Sequence, residues 1–371
     1  ITQVYAQLIL LDIFNTHQIR PSEMQGLYLC SFDWAKLVHI LPKETTLSRY
    51  IVDINKDCPP TFNNDQSSLY KPTIYISTQN LLDHLCDTQS KKSGYLSRNE
   101  KLFLTPALHF HIHTLLTTNT ERRDERYEYS AQLNLCFSLS VAHFYLSKGK
   151  NFHETLDLDN NYQFQNESSL INSMNSNIPL EVSSAKLLDR EAKQIYSTEV
   201  LDISVNGYRI KWTGVTPPHL KTGEFILIQE NSRDSWRGGV IRWIKQSTEK
   251  SLELGLEVLA QDLFPCAAMV KTERNSNNYQ PALLVQSSAL ESDSVTLIVS
   301  GSHLFREKQT IHLRLGKDEL KIYLTKAQLI TQSFIHFEFE LLNDQQQSLV
   351  QNFINKQTNE IKNQDLWEAL K

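Results

Sequence analysis

Residues 196–212 read YSTEVLDISVNGYRIKW, and the fold turns on this stretch. Tyr196 to Ile203 and Tyr208 to Trp212 are rich in β-branched and aromatic residues, and Asn206-Gly207 between them is a turn signal. The same punctuation continues downstream. Phe225 to Gln229, Val240 to Lys245 and Leu252 to Leu259 are strand-like, with turn signals at Pro217-Pro218, Thr222-Gly223 and Asn231-Ser232-Arg233-Asp234. Short strands at this spacing predict an antiparallel barrel or sandwich, and closure into a barrel would remove the exposed edges.

Outward from this block, Ala131 to Leu146 alternates like one long strand or a pair and ends at Lys148-Gly149-Lys150. Residues 151–186 are Asn- and Ser-rich with thin hydrophobicity, which reads as a polar insertion. A short helix over 187–195 would return the chain to the sheet. A second β-rich block spans Pro281 to Leu342, with strands at Ala282–Gln286, Val295–Val299, Thr310–Leu315, Leu320–Leu329 and Phe334–Leu341, and predicts another small barrel. The tail Gln345–Lys371 carries Leu349, Val350, Phe353 and Ile354 at helical spacing and is a candidate partner helix or self-association element.

The region before residue 119 reads as mixed and mostly helical. Helices are expected over Gln3–Ile13, Asp33–Leu41 (stopped by Pro42), Thr78–Cys86 and Lys101–Leu116, with a break at Ile19-Arg20-Pro21-Ser22 and a strand at Thr73–Ser77. The predicted organisation is therefore α+β, mainly β. A mostly helical region spans 1–118, a barrel with its insertion 119–265, a second barrel 275–344 and a terminal helix 345–371.

Composition narrows the function. A chain of 371 residues has room for two or three domains. Its formal net charge of -5 argues against binding long nucleic acid, which needs a basic field, so any phosphate recognition must be local. The five cysteines (Cys30, Cys58, Cys86, Cys136, Cys266) show no disulfide or zinc spacing, as expected in a reducing cytoplasm. The apolar run Leu8–Phe14 contains Asp12 and is too short for a membrane span, and no secretory signal precedes it. The first residue is Ile1 rather than Met, consistent with a fragment or trimmed form.

Two segments carry recognisable chemistry. In Glu121-Arg122-Arg123-Asp124-Glu125-Arg126, the residues Arg122 and Arg126 form R-x-x-x-R just before a strand; in Asp202-Ile203-Ser204-Val205-Asn206-Gly207, a D-x-S-x-x-G joins two strands. Arginine suits a compact ligand with two phosphates and two guanines, because a guanidinium pairs bidentately with phosphate, donates to the guanine O6/N7 edge and stacks on bases. Asp202 can accept from a guanine N–H edge, Ser204 and the turn amides can donate, and Gly207 permits positive φ and close backbone approach. Asn206 flanks that glycine and can contribute.

Together these motifs resemble the PilZ domain family, bacterial six-stranded barrels that bind cyclic di-GMP. The resemblance covers about Glu121 to Ala260 and extends to Thr222-Gly223-Glu224-Phe225, Gly239-Val240-Ile241-Arg242-Trp243 and Leu254-Gly255-Leu256-Glu257-Val258, which are similar to the later strands of that family. It implies that Arg122 and Arg126 clamp the ligand while Asp202, Ser204 and Gly207 form the opposing turn. The 151–186 insertion lengthens the distance between the motifs, and Arg123 beside Arg122 leaves the inward-facing arginine open to a slip of one. The implied function is a second-messenger receptor. The alternative is a PilZ-like scaffold for protein–protein interaction without nucleotide.

Other features read more plainly. His109, His111 and His113 have no Asp, Glu or Cys at ligand spacing, so they are read as packing or capping residues near the barrel and no metal is expected. Arg242 is a lesser ligand candidate, and Trp243 beside it reads as core. No G-x-S-x-G, H-E-x-x-H, Walker loop or G-x-G-x-x-G is present, which argues against an enzyme, and no cofactor is expected.

Overall fold

A computed structural model describes residues 2–56, 58–63, 73–89, 96–118, 127–150, 152–155, 193–204, 206–230, 234–247, 251–271, 279–289 and 292–369. It divides into two units, Ile1–Arg126 with Trp243–Lys245, and Tyr127–Arg242 with Gln246–Lys371. Residues 187–192 of the helix expected over 187–195 and most of the 151–186 insertion lie outside the described residues, and 193–195 are a non-helical lead into the following strand.

The N-terminal unit contains α1 (Thr2–Ile13), α2 (Pro21–Trp34), β1 (His39–Leu41), β2 (Tyr50–Asp53), β3 (Thr61–Phe62), β4 (Thr73–Ser77), α3 (Gln79–Gln89), α4 (Arg98–Phe103) and α5 (Pro106–Thr117). Its sheet has the order β1-β4-β2-β3 and shares a core with the helices, built on Leu10, Leu27, Trp34, Ile76, Leu85 and Ile112. Two helix expectations are corrected. Asp33–Leu41 is not one helix: α2 ends at Trp34, and Ile40 pairs with Ile76 as β1. A short apolar run suits either state, and here the neighbouring strand decides. Lys101–Leu116 is two helices split at Thr105-Pro106, where Pro106 opens α5 and the Thr105 hydroxyl accepts from the Leu108 amide at 3.1 Å.

In the second unit, β5 (Tyr127–Glu128), β6 (Gln132–Phe137), α6 (Leu139–Leu146), α7 (Phe152–Thr155), β7 (Tyr196–Ser204), β8 (Gly207–Trp212), β9 (Phe225–Gln229), β10 (Arg237–Gln246) and β11 (Leu252–Ala260) form the first barrel and its helices. The sheet order β5-β7-β6-β9-β10-β11-β8, with β7 also paired to β8, closes β6 to β11 into a six-stranded antiparallel barrel. Val200, Ile210, Trp212, Leu254 and Leu256 are buried in it, each on the alternating phase that faces the core.

Ala131–Leu146, expected as strand throughout, changes state at Ser138. Its hydroxyl accepts from the Val141 amide at 3.3 Å and starts α6. Helix α6 is apolar on several sides because it packs on β6 and β9 of the first barrel and on β12 and β13 of the second.

The second barrel closes as β12-β13-β14-β17-β16-β15 from β12 (Asp262–Met269), β13 (Gln280–Ala289), β14 (Ser292–Ser300), β15 (Gln309–Leu315), β16 (Asp318–Ile330) and β17 (Phe334–Leu341). Strand β12 is an addition to the strands expected from sequence, because Pro265 interrupts its pattern; in the barrel Pro265 sits opposite Leu283. Helix α8 (Asp344–Ala369) contributes Val350 and Ile354 to this barrel's core.

The two barrels are joined by direct contacts. Phe225 and Phe334 meet edge to face at 5.4 Å between ring centres. The Ser333 hydroxyl donates to the Gly223 carbonyl at 2.9 Å and accepts from the Phe225 amide at 3.2 Å. Among the described residues, no helix is long and apolar enough to cross a membrane.

Candidate functional site

The D-x-S-x-x-G segment is the tip of the β7–β8 hairpin. Ser204 pairs with Gly207, Ile203 with Tyr208 and Asp202 with Arg209. The register shifts between Val200 and Asp202, which inserts one extra residue into β7. Thr198 and Val200 are buried, so unbroken alternation would carry Asp202 into the barrel core. The bulge re-aims it onto the face of Arg209 and avoids placing a carboxylate among apolar side chains.

On its other edge β7 receives β5, where Tyr127 pairs with Ile203 and Glu128 with Asp202. Tyr127 is the residue that follows Arg126 in the chain. Arg122, Arg123 and Arg126 themselves lie outside the described residues.

The tip is held by close backbone contact. A Cβ on Gly207 would lie 2.3 Å from the Leu256 carbonyl oxygen. Gly207 does not have positive φ, so close approach alone explains the glycine, which corrects half of the sequence-based reading. The Val258 amide donates to the Asn206 carbonyl at 2.8 Å and ties the turn to β11. Ser204 Oγ lies 3.5 Å from the Gly207 carbonyl, at the edge of hydrogen-bond range.

Asp202 is 8% exposed, and its Oδ2 accepts from Arg209 Nη1 at 3.0 Å. Arg209 Nε also donates to Glu253 Oε2 at 3.1 Å. Sequence reading passed over Arg209. A two-residue hairpin loop between Ser204 and Gly207 was the available signal, since it places Arg209 opposite Asp202.

At the same end of the barrel, the Tyr208 hydroxyl donates to Glu230, and Arg237 Nη2 lies 2.6 Å from Glu230 Oε1 and 2.5 Å from Tyr208 Oη. Burial first, then the adjacent carboxylate, pushes the Tyr208 hydroxyl up to about 12. The bonds from Tyr208 and Arg237 hold Glu230 below the ordinary carboxyl range. Arg242 forms an ion pair with Glu257.

The three histidines lie on α5 in the N-terminal unit. His111 Nε2 is 2.9 Å from the Phe14 carbonyl, His109 Nε2 is 3.4 Å from that of Leu85, and the rings of His109 and His113 stack at 6.2 Å.

The family model described as "Cyclic-di-GMP receptor FimW, middle PilZ domain" matches residues 49–186 and 167–265, more than half of the chain. The chain belongs to the FimW family. Its PilZ membership, expected from the two motifs, therefore holds, and the match reaches further upstream than the motifs do. A second FimW model, "FimW C-terminal beta-barrel domain", matches residues 266–342, the span of the second barrel. Among curated proteins, the cyclic-di-GMP receptor FimW of Pseudomonas aeruginosa is 24% identical over 382 residues, covering 91% of this chain. The chain spans 62% of that relative's length. No solved structure matches.

Proposed function

We propose that this chain is a non-catalytic cytoplasmic receptor for cyclic di-GMP, the ligand named for its FimW relative. Arg122 and Arg126, with Arg123 as the neighbouring alternative, clamp the phosphates and guanine edges. Asp202, Ser204, Asn206 and Gly207 supply the facing rim. The observation that carries this reading is the β5–β7 pairing: the residue after Arg126 lies opposite Ile203, so two motifs far apart in sequence lead to one hairpin.

Engagement of Arg122 and Arg126 by the ligand is the event to be relayed, by domain rearrangement or to a protein partner. That requires the ligand to bind one arrangement better than the other.

One observation favours a scaffold reading instead: Asp202 is already engaged by Arg209. Calorimetric titration with cyclic di-GMP, with GTP and cyclic di-AMP as controls, separates the two readings. A receptor gives saturable binding at micromolar ligand or below. Arg126→Ala should lose about 2–5 kcal/mol, at least tens-fold in affinity, while the fold stays intact. A folded wild-type chain that gives no heat and no thermal shift would favour the scaffold.

A further inference from the structure

Cyclic di-GMP presents charge and hydrogen-bonding edges, and it also presents the flat faces of two guanines. Asp202, Ser204, Asn206 and Gly207 answer the edges, and none of them offers a flat apolar surface. Stacking on an aromatic ring stabilises a base face in water, whatever the base.

Three tyrosines flank the hairpin tip, and their burial and register separate them. Tyr208 is 8% exposed, its hydroxyl donates to Glu230, and the Arg237 guanidinium lies 5.5 Å from its ring centre. Its ring is therefore taken up within the barrel. Tyr129 is 45% exposed, and its amide donates to the Leu201 carbonyl at 3.4 Å, farther down β7 than the tip. Tyr127 is 61% exposed and lies directly opposite Ile203, the neighbour of Ser204.

Directly opposed residues of antiparallel strands project to one face with Cβ atoms about 5 Å apart, so the pairing anchors the root of the Tyr127 side chain beside Ile203. The ring itself stands out into solvent. A ring exposed to this extent offers a face for stacking whatever its hydroxyl and edges touch. Tyrosine turns on only two side-chain torsions, so fixing its ring against a base costs little entropy.

We propose that Tyr127 is a ligand-contacting residue whose ring stacks on one guanine of cyclic di-GMP and holds that base against the tip of the β7–β8 hairpin. This rests on the receptor reading above. It extends the site beyond the two motifs, since Tyr127 belongs to neither. Stacking needs the ring and not the hydroxyl, and the π face rather than apolar bulk alone.

The test is calorimetry of the full chain with cyclic di-GMP on wild type, Tyr127→Phe and Tyr127→Leu, with melting temperatures taken without ligand. Tyr127→Phe keeps the ring and binds within about twofold of wild type. Tyr127→Leu loses about ten- to a hundredfold in affinity, the range for one stacked base, with its melting temperature unchanged because the ring is exposed. Should Tyr127→Leu fail to fold, Tyr127→Thr, a strand former without a ring, takes its place.

A folded Tyr127→Leu that binds like wild type overturns the inference and leaves the receptor reading intact. So does a Tyr127→Phe that loses as much as the leucine variant, since the hydroxyl would then carry the contact. Absence of binding by the wild-type chain overturns the receptor reading, and the role of Tyr127 with it.

Discussion

Gly207 has no room for a side chain, since the atom a Cβ would meet at 2.3 Å is a backbone oxygen of β11. Backbone cannot swing aside as a side-chain end can, so Gly207→Ala must push the hairpin tip off β11. The expected cost is about 1–3 kcal/mol, read as a lower melting temperature together with weaker cyclic di-GMP binding. An alanine variant with unchanged melting would mean that the tip is not held by this approach. Much of the residue scale was legible in the sequence. The spacing of D-x-S-x-x-G is the pairing itself, with Ser204 opposite Gly207 at the tip. Arg209 was hidden because no motif marks it and only the register reveals its partner. Arg242 was weighed as a ligand contact but is paired with Glu257, a contact that depends on two strands coming together.

The strands between Tyr196 and Leu259 were legible because turn residues punctuate them and one face of each is buried. The failures occurred where packing, not periodicity, sets the state. Leu139–Leu146 lies between two barrels, so it is apolar on more than one side and carries no clean helical stripe. Strand β12 was concealed by Pro265. The break between β6 and α6 supports a prediction of its own. Ser138 adopts φ 79° and its hydroxyl caps the helix. Ser138→Ala loses the cap and keeps the penalty of left-handed φ, an expected loss of about 0.5–2 kcal/mol. Ser138→Gly loses the cap but suits that φ, so urea unfolding should rank it between wild type and alanine. Alanine proving as stable as glycine would rule out this account of the helix start.

Because α6, the Phe225–Phe334 contact and Ser333 are shared between the barrels, protonation at their joint acts on both barrels together. His143 on α6 is 1% exposed, with Nε2 3.1 Å from the Cys266 carbonyl of β12, and burial lowers it to about 4. His336 on β17, beside the Thr296 hydroxyl at 2.7 Å, is likewise lowered by burial to about 4. Both therefore fold as neutral imidazoles. A histidine whose folded pKa lies below its unfolded value contributes stability that is fully present above about pH 6.5 and is lost as pH falls toward 4. A tenfold change in proton affinity between the folded and unfolded chain is worth about 1.4 kcal/mol, so each ring accounts for up to about 3 kcal/mol across that window. Glu230 and Glu319 are held below their ordinary value of 4.5, and their contribution is lost mainly at lower pH. Melting temperatures followed from pH 7 to 4.5 should therefore decline first through the histidines. His143→Gln can keep a donor toward the Cys266 carbonyl and cannot be protonated, so its decline should be shallower than that of wild type. If the two slopes coincide, His143 is not a source of the acid sensitivity, and His336→Gln becomes the variant that must flatten the curve.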